Sequence, residues 1–344
     1  MLARITNIDS EDLHLETPIL FPVHNLGASG LGNSPKYWNE IPDMQTMLIN
    51  IHGIKQSRAY HKIIDNGLKS VYSPKITYFV DSGGFQNRDL KIQPDPIEVL
   101  RIQEKIGANI ASTLDVPIFT DTPATTFQHQ NSTSISIKNA ITALKYRENE
   151  NMKLYASIQG YNLTHLLNCI DYLMKHGDFD GFAIGGLLPK RGRFYEIIDI
   201  IIAVRQKIGD KPLHIFGMGG PTTIPLMIYA GADSFDSSSY MKAGSKRIFY
   251  SPEKGSIAFS DLPEKYQYLP CVCPVCSTHT LNEVRNSRKL IAMHNLWMMS
   301  YELRKVKQHI LDGDYEVYLE QRFMNNPITL DAYRYAKLKT RRLI

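Results

Sequence analysis

Residues 153–185, KLYASIQGYNLTHLLNCIDYLMKHGDFDGFAIG, hold one complete unit of the fold. An apolar run, Lys153–Gln159, leads into an amphipathic segment with apolar residues at helical spacing, closed by Gly177, and a second apolar run follows at Asp180–Gly185. Short apolar runs joined by helix-length segments read as strand–helix–strand units of a parallel sheet. Working outward, the same alternation yields further strands at Ile19–Val23, Thr46–Asn50, Thr77–Asp81, Asn109–Asp115, Leu213–Gly217 and Ala232–Asp236, with helices over PIEVLRIQEKIG, SISIKNAITALKYRENE and FYEIIDIIIAVRQKIG. Eight strands alternating with helices predict an α/β fold, a (β/α)8 TIM barrel. A doubly wound open sheet would carry a glycine-rich phosphate fingerprint after its first strand, and none is present.

The 344 residues fit such a barrel with additions. The expected organisation is a barrel with its catalytic pocket over 1–240, then a zinc-binding, basic helical sub-domain over 241–344 that completes the barrel. The stretch Ser239–Pro270 interrupts the pattern and reads as an insertion or a loop linking the two. No apolar stretch reaches the length of a membrane span and no signal peptide opens the chain, so a cytoplasmic protein with no membrane partner is expected. The net charge of +5 resides in the last 68 residues, where twelve Lys/Arg stand against seven Asp/Glu from Ser277 to Ile344. A basic tail of this kind is either a solvated helix end or a surface for phosphates.

Three of the four cysteines, Cys271, Cys273 and Cys276, fall within PCVCPVCS. C-x-C-x-x-C beside a proline suits thiolate ligation of a tetrahedral structural zinc better than packing or disulfides. His294, in the helical pattern LIAMHNLWMM, is the favoured fourth ligand because that helix can fold back across the cluster; His279 is the nearer alternative. Cys169, among helical apolar neighbours, reads as core.

Catalytic groups of (β/α)8 barrels stand at the C-terminal strand ends. Here those ends carry Asp81 in DSGGFQ, Asp115, Gln159 in SIQG, the glycines of AIGGL, and Asp236 in SFDSSSY. A single Asp after a strand is as readily a helix cap. Three carboxylates and an amide at successive strand ends point instead to one polar cavity.

DSGGFQ, SIQG, GFAIGGL, GADSFDSSSY and the zinc run with HNLW together resemble the tRNA-guanine transglycosylase family, from about Thr17 to Gly313. Members exchange a guanine in RNA for a 7-deazaguanine base of the queuine or preQ type. The wording of FDSSSY and PCVCPVCSTHT is similar to the archaeal-type catalytic core, whereas bacterial members read FDCVxPTR. The resemblance implies a pentosyltransferase with Asp236 as nucleophile and Asp81 as general acid/base. It implies Asp115 and Gln159 reading the base edge, the backbone of Gly185, Gly186 and Leu187 contacting its oxygen or 7-substituent, and Phe85 stacking on it. It further implies a structural Zn2+, a homodimer, and nucleic acid as partner, with tRNA favoured. Archaeal members carry additional C-terminal RNA-binding modules for which this sequence has no room, and related enzymes that insert 7-deazaguanines into DNA share the bare core; DNA is therefore the alternative polymer. A non-catalytic partner subunit is the other alternative, and the retained Asp81 and Asp236 argue against it. Lys242, Lys246, Arg247, Arg285 and Arg288 are candidates for a rim that holds phosphates.

Overall fold

The computed structural model describes residues 1–11, 13–26, 37–39, 41, 44–87, 94–118, 125–190, 192–251, 255–262, 268–269 and 271–343. Strands β1 (Asn7–Ser10) and β2 (Leu13–Glu16) form an antiparallel hairpin. Then come β3 (Ile19–Pro22), β4 (Thr46–Asn50), β5 (Thr77–Asp81), β6 (Ile110–Ser112), β7 (Lys153–Ile158), β8 (Gly181–Ile184), β9 (Leu213–Ile215) and β10 (Ser234–Ser237). These eight make one parallel sheet in the order β3-β10-β9-β8-β7-β6-β5-β4. Its outer members meet where Val23 bridges Leu48, His24 N–H donates to Leu48 O at 2.8 Å, and Thr46 Oγ1 donates to Leu20 O at 2.6 Å. The sheet thus curls into a nearly closed barrel, as the alternation of the sequence predicts.

Helices α1 (Ile51–Lys55), α2 (Tyr60–Val71), α3 (Gly84–Asn87), α4 (Pro96–Lys105), α5 (Thr126–Tyr146), α6 (Leu163–His176), α7 (Phe194–Ile208), α8 (Thr223–Tyr229) and α9 (Ser239–Ser245) lie between or after the barrel strands. Their starts follow local chemistry. Asp95 caps α4 ahead of Pro96, Asn162 caps α6, and Thr125 with Gln128 closes a capping box on α5. That box starts α5 eight residues before the Ser134 expected from apolar spacing, because the first turns are polar and the periodicity there is silent.

Alternation sorts the side chains of each strand. Tyr78, Val80, Leu154, Ala156, Phe182 and Ile184 face the helices in the large outer core. Phe21, Leu48, Phe79, Ile110, Tyr155 and Ala183 fill the barrel interior, and Ile8 and Leu13 of the hairpin pack against this same set. The period of two then sends Asp81, two residues past Phe79, and Gln159, four past Tyr155, toward the interior at the opposite end.

After β10 the stretch Ser239–Pro270, expected as an insertion or a loop, carries secondary structure of its own. Its described residues form α9 and a second antiparallel hairpin, β11 (Ile248–Ser251) with β12 (Gly255–Ala258). Strands of four residues with mixed exposure leave little periodicity to read, and the same holds for β1 and β2. Helices α10 (Leu281–Asn286), α11 (Arg288–Leu311), α12 (Tyr315–Phe323) and α13 (Pro327–Arg341) complete the chain. Buried Ile291, Leu296, Met299, Phe323 and Tyr333 join the outer core of the barrel. Among the described residues no helix is long and apolar enough to cross a membrane.

Candidate active site and metal centre

Asp81 is the last residue of β5 and Asp236 the third of β10, while Gln159 directly follows β7. Asp115 lies three residues beyond β6, which ends at Ser112 rather than running on to Asp115 as expected. Thr113 still donates its N–H to Tyr155 O at 3.0 Å, and the chain then turns across the barrel. Asp81 accepts from Ser112 Oγ at 3.0 Å and from Gly83 N–H at 3.2 Å. The register pairs Val80 with Ala111, which sets Asp81 beside Ser112. Asp236 accepts from Gly217 N–H at 2.6 Å, and His214 Nε2 lies 3.5 Å from the same oxygen. Fully buried His214 has its Nδ1 2.8 Å from Ser234 Oγ, and burial holds its pKa below the usual imidazole value.

Asp115 accepts from Gln159 Nε2, and Gln159 Oε1 accepts from Ile118 N–H at 3.4 Å. Two glycines make room for this pair. A Cβ on Gly84 would stand 2.1 Å from Asp115 Oδ1, and one on Gly185 would stand 2.1 Å from Gln159 Nε2. Gly186 has φ +72°, a conformation that side chains other than glycine rarely adopt. Leu187 is buried, whereas Phe85, on α3 just after Asp81, is 41 % exposed.

Among the described residues no lysine or arginine pairs with Asp81, Asp115 or Asp236. Burial, with the nearby Asp115 and Asp236 charges, pushes the Asp81 carboxyl up to about 7 against the hydrogen bonds from Ser112 and Gly83. Part of Asp81 remains open to the cavity, so it is desolvated by its walls and yet reachable. Burial likewise raises Asp115 to about 6, although Gln159 opposes the shift. A carboxyl poised near neutrality can both give and take a proton at physiological pH. Ser112, His214 and the Gly217 amide were not singled out by the sequence. Strand parity around Phe79 and Ser234 is the signal that could have found the first two.

The four metal-ligand candidates also converge. Sγ of Cys271, Cys273 and Cys276 lie 3.7, 3.4 and 3.2 Å from His294 Nδ1, and all four ligand atoms fall within 4.8 Å of one another. Tetrahedral zinc with three thiolates and an imidazole would hold its sulfur and nitrogen ligands roughly 3.5 Å apart. His294 Nε2 is 2.8 Å from Tyr250 O, a bond that puts its proton there and turns the Nδ1 lone pair to the sulfurs. The N–H groups of Cys273 and Cys276 point at Cys271 Sγ, 3.5 Å away, and Cys273 Sγ, 3.3 Å away, as thiolate acceptors need. His279 is outside the cluster, its Nδ1 instead 3.1 Å from Val275 O. Cys169 is buried in α6, where desolvation raises its thiol to about 11.

Of the rim candidates, Lys242, Lys246 and Arg288 are exposed, while Arg247 and Arg285 are half-buried beside one another, with Arg247 Nη1 donating to Arg285 O.

Archaeal proteins named tRNA-guanine(15) transglycosylase are 29% identical over 96% of this chain in Pyrococcus abyssi, and 30% identical over 96% in Thermococcus onnurineus and 93% in Haloferax volcanii. The chain spans 56%, 57% and 62% of those relatives' lengths, respectively. The family model described as queuine tRNA-ribosyltransferase matches residues 1–328, and the chain belongs to that family.

Proposed function

We propose that this chain is a pentosyltransferase that exchanges a guanine of tRNA for a 7-deazaguanine base through a covalent bond between Asp236 and the ribose. The observation that carries the reading is the set of three carboxylates that pair with no lysine or arginine among the described residues, of which Asp81 is raised to about 7. Replacing a base at C1′ with retention takes two inversions, and two carboxylates in different protonation states can supply them. Asp236, oriented by the Gly217 amide, attacks C1′ as a carboxylate. The C1′–N9 bond breaks, its electron pair leaves with guanine, and Asp81 gives its proton to that base. An ester between Asp236 and C1′ remains. The incoming 7-deazaguanine then loses its N9 proton to Asp81, and N9 displaces Asp236 from C1′.

Charge bookkeeping supports this division of labour. Before attack Asp81 is protonated and Asp236 anionic; after it Asp81 is anionic and Asp236 an uncharged ester. The pair carries one negative charge throughout, so the two reacting carboxyls never face each other as two anions. Asp115 and Gln159, braced against Gly84 and Gly185, face the base edge: a carboxylate accepts from N1–H and the exocyclic amine of a guanine, and an amide serves its carbonyl. The backbone of Gly185, Gly186 and Leu187 lies against the oxygen or the 7-substituent, and Phe85 stacks on the ring.

The cysteines and His294 would hold one zinc, whose chemistry is to cross-link residues 241–344, read as the sub-domain that completes the barrel over 1–240. The relatives' names favour tRNA as the polymer. A cytoplasmic homodimer fits that work.

Labelled guanine offered with folded tRNA and with duplex DNA in parallel tests the reading. Label is expected in tRNA alone. Label in DNA alone would move the substrate to DNA, and label in neither from zinc-loaded protein would contradict an enzymatic role and point to a binding subunit.

A further inference from the structure

A second concave site lies between the end of α9, the β11–β12 hairpin and α10, and shares no residue with the carboxylate cluster. Lys246, Arg247 and Arg285 line a cavity of about 430 Å3 together with Phe259, Ser260 and Asn286. Among the described residues none of the three cations forms an ion pair, and Arg285 Nε is buried without an acceptor. Three like charges facing one cavity repel one another, so an anion placed between them is favoured. Arg247 is the one described non-glycine residue with a positive φ, 57°, a strained conformation that sets its side chain on this wall. Its Nη1 covers the Arg285 carbonyl, which would otherwise repel an anion at the end of α10. Among the described residues neither Glu283, which accepts from Thr280, nor exposed Asp261, which accepts from the Ser260 hydroxyl, forms an ion pair with these cations.

We propose that this cavity is a subsite for a backbone phosphate of the polynucleotide, remote from the exchanged base. An oxyanion there would meet the positive charges of Arg285 and Arg247, with Lys246 as a point charge at the rim. The metal centre holds the walls together. His294 binds Tyr250 O, while Asn295 accepts from Tyr250 N–H at 2.8 Å and donates to Ile248 O at 2.9 Å, tying the hairpin to α11 beside the thiolates. The polymer assignment rests on the proposed base exchange, but binding can be measured without it.

The test uses the zinc-loaded full chain with Arg247→Gly, Arg285→Ala and Arg285→Lys, and reads tRNA affinity by anisotropy from low to moderate salt. Arg247→Gly removes the fork while relieving the backbone strain, so its melting temperature should hold or rise. Its affinity should nonetheless fall roughly tenfold, with the logarithmic salt slope shallower by about one. Arg285→Ala should behave likewise in binding, and Arg285→Lys should recover part of it. Unchanged affinity and slope in both Arg247→Gly and Arg285→Ala would overturn the subsite. Protection of the wild type by inorganic phosphate, lost in Arg247→Gly while the tRNA slope is unchanged, would overturn the backbone assignment in favour of a free anion. Absence of base exchange in the wild type, with the expected shallower slopes in the variants, would count against the catalytic reading alone.

Discussion

Asp233, just before β10, and Asp236, the third residue of that strand, are three residues apart and meet opposite surroundings. Asp233, 1 % exposed, accepts from Arg4 Nε at 3.0 Å, from Arg205 Nη2, and from Leu213 N–H at 2.8 Å. Arg205 in turn donates to the carbonyls of Gly231, Gly209 and Lys211. Both oxygens of Asp233 and the Arg205 guanidinium thus have partners, as a buried ion cluster requires. At the other end Asp236, Asp81 and Asp115 have no cation among the described residues and receive only neutral donors. One carboxylate closes the structure; the other three are left for chemistry. The apolar hairpin residues Ile8 and Leu13 reinforce the division by packing on the barrel interior from the end where β3 begins.

The contrast can be broken by substitution at either end. Asp233→Ala strands the buried Arg205 guanidinium and takes one of two carboxylate partners from half-buried Arg4, and should cost about 3–5 kcal/mol in urea unfolding; a loss under 1 kcal/mol would mean that water reaches this end and that the two ends are alike. Asp81→Asn keeps shape but has no proton to give, so base exchange at saturating tRNA should drop roughly 100-fold or more while binding persists. Retained turnover would assign the proton transfer to another group. Gly185→Ala brings a Cβ against Gln159 Nε2 and should destabilise by about 1–3 kcal/mol, with a rise in KM for the base from the displaced amide. Normal KM in a folded Gly185→Ala protein would remove Gln159 from the base site.

The smallest effect is a pH dependence of stability. The Asp81 carboxyl lies at about 7 in the folded chain against 3.8 for the free side chain. Between those values the folded state holds a proton that the unfolded state has released, so stability falls as pH rises through the window. Asp81→Asn removes this dependence. Relative to wild type it should gain on the order of 1 kcal/mol at pH 8, discounted for partial exposure, and the gain should vanish near pH 4. Thermal melts at both pH values check this, and a variant less stable at pH 8 would show that Asp81 is a structural residue like Asp233.

The barrel was legible because parallel strands buried on both faces are written as near-continuous apolar runs, and because residues such as Gly177 and Asp95 mark helix boundaries. The hairpins β1–β2 and β11–β12 were not, since four-residue strands with one wet face carry no distinct period. At the site, Asp81, Asp115, Gln159 and Asp236 stood out as polar residues ending apolar runs. The choice of His294 over His279 was legible from chain geometry, and the 3.2–3.7 Å sulfur–nitrogen distances agree with it. Asp233 was invisible as a structural anion because its partners, Arg4 and Arg205, are 229 and 28 residues away in sequence. Gly84 and Gly185 read as turn residues, and only the close packing of Asp115 and Gln159 against them gives their absence of a side chain a purpose.

The central claim is that the unpaired carboxylate of β10 becomes covalently bonded to the ribose. Intact-mass analysis after denaturing quench of zinc-loaded protein with tRNA, followed by peptide mapping, tests it most directly. The expected result is a protein–RNA adduct on the peptide containing Asp236, present in wild type and absent in Asp236→Ala. An adduct mapping to Asp81, or base exchange that continues in Asp236→Ala, would contradict it.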